Sequence, residues 1–449
     1  MFTDELLRAA DENREKDAIV WRDRHYTYGA LLDSITQWDH RLRASGLARG
    51  SVVALDADFS PEAVGALLAL IGAGCVVVPL SSAIKKQRTE FLVIAEIEAI
   101  VDLSDPAGAS IQHTGTTAAH ELLVRLQMIG HPGLILFSSG STGKSKGAVH
   151  DFVPLLAKFA VRRASRRMLA FLLFDHIGGV NTLLYVISNA GTLITVEDRS
   201  PAAICAAIEQ YAVEVLPTTP TFLHLLLLSD SHKQFDLSSL KLVTYGTEVM
   251  PENTLRRLRE VMPHVELQQT YGLSELGILR SKSKSSDSPW VKIGGEGFET
   301  RVRDGLLEVR ARSAMLGYLN APSPFTEDGW FRTGDAVEVD GEYFRILGRR
   351  SEIINVGGEK VFPAEVETLL ETMPGVEEAV VAAQPSAITG QVVVARVKLA
   401  AEESLSAFRT RMRQYCRDRL APFKIPQKVI LVDQPMHGDR FKKLRRERT

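Results

Sequence analysis

From residue 51 to about residue 270, apolar runs of strand length alternate with segments of helix length. The clearest strand candidates are Ser51–Leu55, Val76–Val78, Leu134–Phe137, Leu193–Val196 and Leu240–Thr244, with helices such as Pro201–Tyr211 between them. Strands this apolar need cover on both faces, and intervening helices supply it, so the pattern predicts α/β layers around mostly parallel sheets. Residues 63–80 form an unbroken stretch of apolar, Gly and Pro residues, close to the length of a membrane span. Gly72 and Gly74 divide it, so it reads as a buried helix, a Gly turn and a buried strand. Residues 104–120 are polar and read as a surface loop or linker. From about 290 to 348 the texture becomes short alternating strands, with Asp340-Gly341 marking a hairpin. After Arg349 comes another α+β unit, with helices at 363–372 and 404–420 and strands near 376–384 and 391–399. The predicted fold class is α/β. A large N-terminal domain (1–348) of layered α/β sheets plus a small barrel precedes a smaller, mobile C-terminal α+β domain (349–449).

Bulk charge narrows the partners. A formal net charge of −2 over 449 residues gives no electrostatic footprint for nucleic acid or a membrane surface. Cys75, Cys205 and Cys416 are far apart and form no metal-type or redox pair, which suits a reducing cytoplasm. The acidic, amphipathic start at Met1-Phe2-Thr3-Asp4 does not read as a signal peptide.

One segment carries most of the chemistry. After Leu134–Phe137 come Ser138, Ser139, Gly140, Ser141, Thr142, Gly143, Lys144, Ser145, Lys146 and Gly147. Glycines let backbone N–H groups close on an anion, and hydroxyls and ammonium groups add donors, so the natural guest is a polyphosphate. A Walker loop would need Gly where Ser138 stands, and so fails on spacing. The segment resembles instead the phosphate loop of the acyl-adenylate-forming superfamily: acyl-CoA synthetases, aryl-CoA ligases and adenylation domains. Three further segments resemble that family in its order. They are Gln269–Gly277 with Tyr271-Gly272-Leu273-Ser274-Glu275, then Gly329–Asp335, then Gly348–Gly358 followed by Pro363–Glu367.

The resemblance implies an ATP-dependent carboxylic acid–thiol ligase that makes an acyl-AMP intermediate and pyrophosphate, then passes the acyl group to CoA or to a carrier protein's phosphopantetheine. It implies that Ser138 to Gly147 hold the β- and γ-phosphates, with Thr142 and Lys146 as main donors. Glu275 is then the Mg²⁺ ligand, Tyr271 stacks on adenine next to Gly272, and Ser274 reaches the α-phosphate. Asp335 and Arg349 bind the ribose. Gly246, Thr247 and Glu248 sit where the family lines its adenine pocket. His176 gates an acyl pocket whose further candidates are Gly178, Gly179, Asn181, Thr247, Leu276 and Gly277, a set that suits a short aliphatic or aromatic acid. Gly357 and Gly358 lie where the family threads a thiol toward the adenylate, and Ser351 stands at the hinge. Near the end, Lys442 with Arg445 fits the family's late catalytic lysine, with Phe441 in place of Gly and Lys443 as rival.

Other readings stay open. Asp175 suggests an amino-acid-adenylating enzyme that charges a carrier protein. Ser351 and Phe441, as departures from the family pattern, suggest a nucleotide-binding protein with a degraded site. The expected partners are a small carboxylic acid and either CoA or an acyl carrier protein, in a monomer or homodimer.

Overall fold

A computed structural model describes residues 3–104, 108–139 and 145–445. Among them, two seven-stranded sheets form the bulk of the large domain. The first runs Glu266–Gln269, Leu242–Tyr245, Val215–Thr218, Arg167–Leu169, Thr192–Ile194, Asp17–Trp21 and Arg24–Thr27, parallel except at the last pair. The second is parallel in its centre, where Val76–Leu80 lies between Val52–Asp56 and Gly133–Ser139.

The apolar stretch 63–80 explains that centre. Ser60 accepts from the Ala63 N–H and caps the helix Pro61–Ala73, whose Pro is already pre-set for the first turn. Gly74 ends it at φ 80°, a left-handed conformation that a side chain would disfavour. The strand that follows is buried along its whole length, as is most of the helix. No helix among the described residues is long and apolar enough to cross a membrane.

One expectation needs correcting. Residues 104–120 are not all loop, because Ser110–His113 pairs antiparallel with Ala99–Asp102 as an edge strand. Its side chains are half-buried or exposed. Hydrogen bonds to the open edge therefore hold it, and no apolar face announces it in the sequence.

The short strands after residue 280 form a six-stranded antiparallel sheet. Its hairpin Phe331–Asp340/Tyr343–Arg349 turns at Gly341 and sets Asp335 directly opposite Arg349. The last sheet has five strands between Ile354 and Leu431. With the helices Pro363–Leu370 and Leu405–Arg417 it encloses its own core, which includes Val366, Val381, Val393, Val397, Phe408 and Met412.

Candidate functional site

Parallel sheets bind ligands outside the carboxyl ends of their strands. Here Leu242–Tyr245 and Glu266–Gln269 end side by side, and the Thr270 N–H donates to the Tyr245 carbonyl at 2.7 Å. The two following segments, Gly246–Glu248 and Tyr271–Glu275, are thereby neighbours. A Cβ on Gly246 would fall 2.6 Å from the Thr270 carbonyl, so only glycine fits. Thr247 adopts φ 74°, uncommon for a β-branched residue.

The Ser/Gly/Lys segment begins and ends in two paired strands. Strands Gly133–Ser139 and Ser145–Asp151 pair antiparallel, with Ser138 opposite Lys146. Gly140, Ser141, Thr142 and Gly143 lie outside the described residues, as does the side chain of Ser139. Asn320 ties the return strand, accepting from the Gly147 N–H at 3.1 Å and donating to the Ser145 carbonyl at 2.8 Å. The Lys146 ammonium stands 5.2 Å from the Tyr318 ring centroid, and the Tyr318 hydroxyl donates to Glu275 Oε1 at 2.6 Å. The loop lysine and the candidate metal ligand thus share one tyrosine.

Asp335 forms the second focus. It is buried, accepts from the Tyr271 hydroxyl at 2.6 Å, and pairs with Arg349 Nε at 2.8 Å. Burial pushes its carboxyl pKa up, against the pull of Arg349 and Tyr271. Tyr271, expected to stack on adenine, is 6 % exposed and packs among Leu273, Leu276 and Phe331. In this arrangement its hydroxyl is bound to Asp335, the candidate acceptor for the ribose. Ser274 presents its carbonyl to His150 Nε2 at 2.5 Å.

His176 caps the helix Ile177–Ser188. Its Nδ1 accepts from the Gly178 N–H at 3.0 Å, which leaves the ring proton on Nε2. Burial, then the charges of Lys442 and Arg440, hold its pKa well below the usual value, so the ring is neutral. Gly178 and Gly179 do not open pocket space. A Cβ there would lie 2.4 Å from Leu172 Cδ1 and 2.0 Å from the Leu173 carbonyl, respectively, so both are glycine for close packing. Asn181 is engaged by a residue that sequence reasoning missed: Lys158 Nζ donates to Asn181 Oδ1 at 2.5 Å and to the Ile278 carbonyl at 3.0 Å, next to Gly277. Burial, with Arg163 nearby, lowers its pKa to about 8. No periodicity marks Lys158, because its partners are far away in sequence.

The tail separates the two lysine candidates. Lys443 Nζ donates to Glu371 Oε1 at 2.6 Å, to Glu367 Oε2 at 3.4 Å and to the Ala379 carbonyl at 3.1 Å. Arg445 adds two bonds to Glu367, at 2.9 and 2.8 Å, and one to Glu352 at 2.8 Å. Burial alone would raise the Glu367 pKa; Lys443 and Arg445 more than offset it and hold the carboxyl at about 2. Lys442 makes no ion pair among the described residues. Burial lowers its pKa to about 8, and its charged neighbours are Glu248, Arg440, Arg349 and Glu275. Lys443 is therefore committed to the small domain, while the charged neighbours of Lys442 include Glu248, Arg349 and Glu275 of the candidate site.

Three other expectations are redefined by the surroundings of their residues. Glu248 accepts from the Thr221 hydroxyl at 2.6 Å and from the Lys443 N–H at 2.8 Å, so both its oxygens are engaged beside the docked tail. Asp175 is buried and pairs with Arg440 at 2.7 Å, so it is already committed to a cation. Gly357 and Gly358 form an exposed turn at φ 60° and 97°, and a Cβ at either would meet nothing within 4 Å. Turn geometry requires them in this arrangement, not the bore of a tunnel. Ser351 is exposed in the short turn Arg350–Glu352 between the two domains.

Residues 6–303 match the profile of AMP-binding enzymes, and residues 365–438 match that of the AMP-binding enzyme C-terminal domain. The chain belongs to the AMP-binding enzyme family. Among the relatives of this AMP-binding enzyme is the indoleacetate–CoA ligase of Aromatoleum aromaticum, 29 % identical over 93 % of this chain and 92 % of the relative. The 2-succinylbenzoate–CoA ligase of Bacillus pumilus is 26 % identical over 96 % and 94 %. The solved structure of the anthranilate CoA ligase AuaEII superposes with a TM-score of 0.82 at 21 % identity, covering 99 % of this chain and 95 % of that one, and so shares the fold.

Proposed function

We infer that the protein is an ATP-dependent carboxylic acid–thiol ligase. In the first step a carboxylate oxygen attacks the α-phosphorus of ATP. The bond from that phosphorus to the bridging oxygen breaks, giving acyl-AMP and pyrophosphate. In the second step a thiol sulfur attacks the acyl carbonyl and AMP leaves. Curated relatives named as CoA ligases support CoA as the acceptor, and the phosphopantetheine of a carrier protein offers the same thiol.

The observation that carries the site reading is that Lys443 is bound to Glu367 and Glu371, while Lys442 is without an ion pair among the described residues and has Glu248, Arg440, Arg349 and Glu275 as its charged neighbours. Two anions must meet in the first step, and an ammonium aimed between them offsets their repulsion. Lys442 carries that role, with Lys146 on the outer phosphates. Asp335 accepts from the ribose hydroxyls and Arg349 fixes the carboxylate. His176, neutral, donates from Nε2 at the acyl side. Glu275 suits Mg²⁺: it is one half-buried carboxylate, no cluster of three ligating side chains surrounds it among the described residues, and Mg²⁺ takes few carboxylates beside phosphate oxygens and water. The ion would neutralise phosphate charge there. The domains 1–348 and 349–449, turning about Ser351, are part of this reading and are supported by the separate core that spans Ile354 to Leu431. The amine-anchoring role of Asp175 is not favoured, because Arg440 occupies it.

The test is pyrophosphate release with Mg·ATP across a panel of carboxylic acids, with and without CoA. Sustained release that needs both one class of acid and CoA supports the reading. Acid-dependent release that stops near one equivalent despite CoA moves the acceptor to a carrier protein. Release dependent only on amino acids would overturn the acid class.

A further inference from the structure

Phe441 precedes the candidate catalytic lysine at a backbone φ of 50°, a left-handed conformation in which glycine is at ease and an aromatic residue is not. Its ring is nonetheless well placed. The centroid lies 5.3 Å from Phe171 and 5.5 Å from Phe222, both fully buried in the large domain, and 5.3 Å from His437 in a stacked pair. The Arg199 guanidinium stands 5.7 Å from the ring centre. The Phe441 carbonyl accepts from the Thr219 hydroxyl at 2.8 Å, and its N–H donates to the Gly438 carbonyl at 2.8 Å. Rings, a cation and hydrogen bonds therefore converge on a position whose backbone conformation opposes a side chain. A strained residue persists only where its surroundings over-determine it.

The tail's two sets of bonds divide by domain. Lys443 and Arg445 side chains hold Glu367, Glu371 and Glu352, which lie beyond Arg349 and belong to the small domain's side. Phe441, Arg440 through Asp175, and the Lys443 N–H through Glu248 hold the large domain. A turn of the small domain about Ser351, as read above, would carry the first set with it and break the second, together with the bonds of Arg199 to the Asp439 carbonyl and of His224 to the Glu377 carbonyl.

We propose that Phe441 is a positioning residue for Lys442: its ring, seated against the Phe171–Phe222 pair, anchors the tail on the large domain and holds the lysine at the nucleotide during acyl-adenylate formation. This rests on the adenylation role of Lys442 proposed above. That turn of the small domain would empty the seat, so the ring sets the balance between the two half-reactions.

The experiment compares Phe441→Gly, which accepts the backbone conformation but empties the socket, with Phe441→Leu, which keeps apolar bulk. Acid-dependent ATP–pyrophosphate exchange reports the first half-reaction. Thioester formation from supplied acyl-adenylate and CoA reports the second. Phe441→Gly is expected to lower the first at least tenfold, mainly in kcat, and to leave the second unchanged or faster, with Phe441→Leu recovering much of the loss. Equal losses in both half-reactions, or no loss in either, would overturn the proposal. Amide exchange across residues 437–445 of the ATP-bound protein gives a readout that needs no turnover: faster exchange in Phe441→Gly supports the seat, and unchanged protection overturns it. Failure of the adenylation reading shows separately, as a wild-type protein that supports no pyrophosphate exchange with any acid.

Discussion

Glu367 is the residue whose loss the structure quantifies most clearly. It is 2 % exposed and receives Lys443, two bonds from Arg445, and the Val381 N–H at 2.9 Å. Held at about 2 instead of 4.5, its carboxylate is favoured by about 3 kcal/mol, at about 1.4 kcal/mol per pH unit. That agrees with the roughly 3–5 kcal/mol lost when one partner of a buried ion pair is removed. Glu367→Gln keeps the shape and one acceptor but removes the carboxylate that Lys443 and Arg445 share, leaving Lys443 only Glu371 and Arg445 only Glu352. Native-state amide exchange across the helix Pro363–Leu370 and the strand Val376–Ser386 is then expected to speed up roughly 100-fold, since about 1.4 kcal/mol is a factor of ten. The pH dependence has a definite sign. A depressed carboxyl stabilises fully above its unfolded value near 4.5 and loses that contribution as pH falls toward about 2. Wild-type protection should therefore decline in this window and the variant's should not. A change of less than tenfold on substitution, or identical acid profiles, would refute the argument.

Lys442 sits at a pKa of about 8 in the free protein, so its charge is lost as pH rises past that value. The kcat/KM for acyl-adenylate formation, which reports the free enzyme, should fall above about pH 8, and Lys442→Arg should remove that limb; a wild-type profile that stays flat well beyond this value would contradict the assignment. Lys158 offers a desolvated ammonium with neutral partners beside Asn181 and Gly277, so acids with a second anionic or oxygen acceptor at the far end should be preferred. Lys158→Met should then reduce that preference about tenfold in KM, the size of a lost charged hydrogen bond, measured on chain-matched mono- and dicarboxylic acids. An unchanged ratio would rule the lysine out.

Periodicity and local composition made much of this protein legible. The apolar run 63–80, split by glycines, had to be helix, turn and buried strand, because strand Val76–Leu80 has no polar face to expose. The hairpin at Gly341 was equally local, and it places Asp335 opposite Arg349. The edge strand Ser110–His113 was not legible, because hydrogen bonding to a neighbouring strand leaves no pattern in side chains.

The sequence by itself determined the order of the four segments that resemble the family's, the α/β layering and the types of residue in the candidate phosphate segment. Only the tertiary structure committed Lys443 to Glu367 and Glu371, turned Glu248 and Asp175 toward the tail, and showed that Gly178 and Gly179 are close-packing residues. The reason is physical. Helices and strands repeat within a few residues, so their burial is written into neighbouring positions. An irregular tail has no period, and the direction of each of its side chains is chosen by ions and rings that join it from about 70 to 270 positions away.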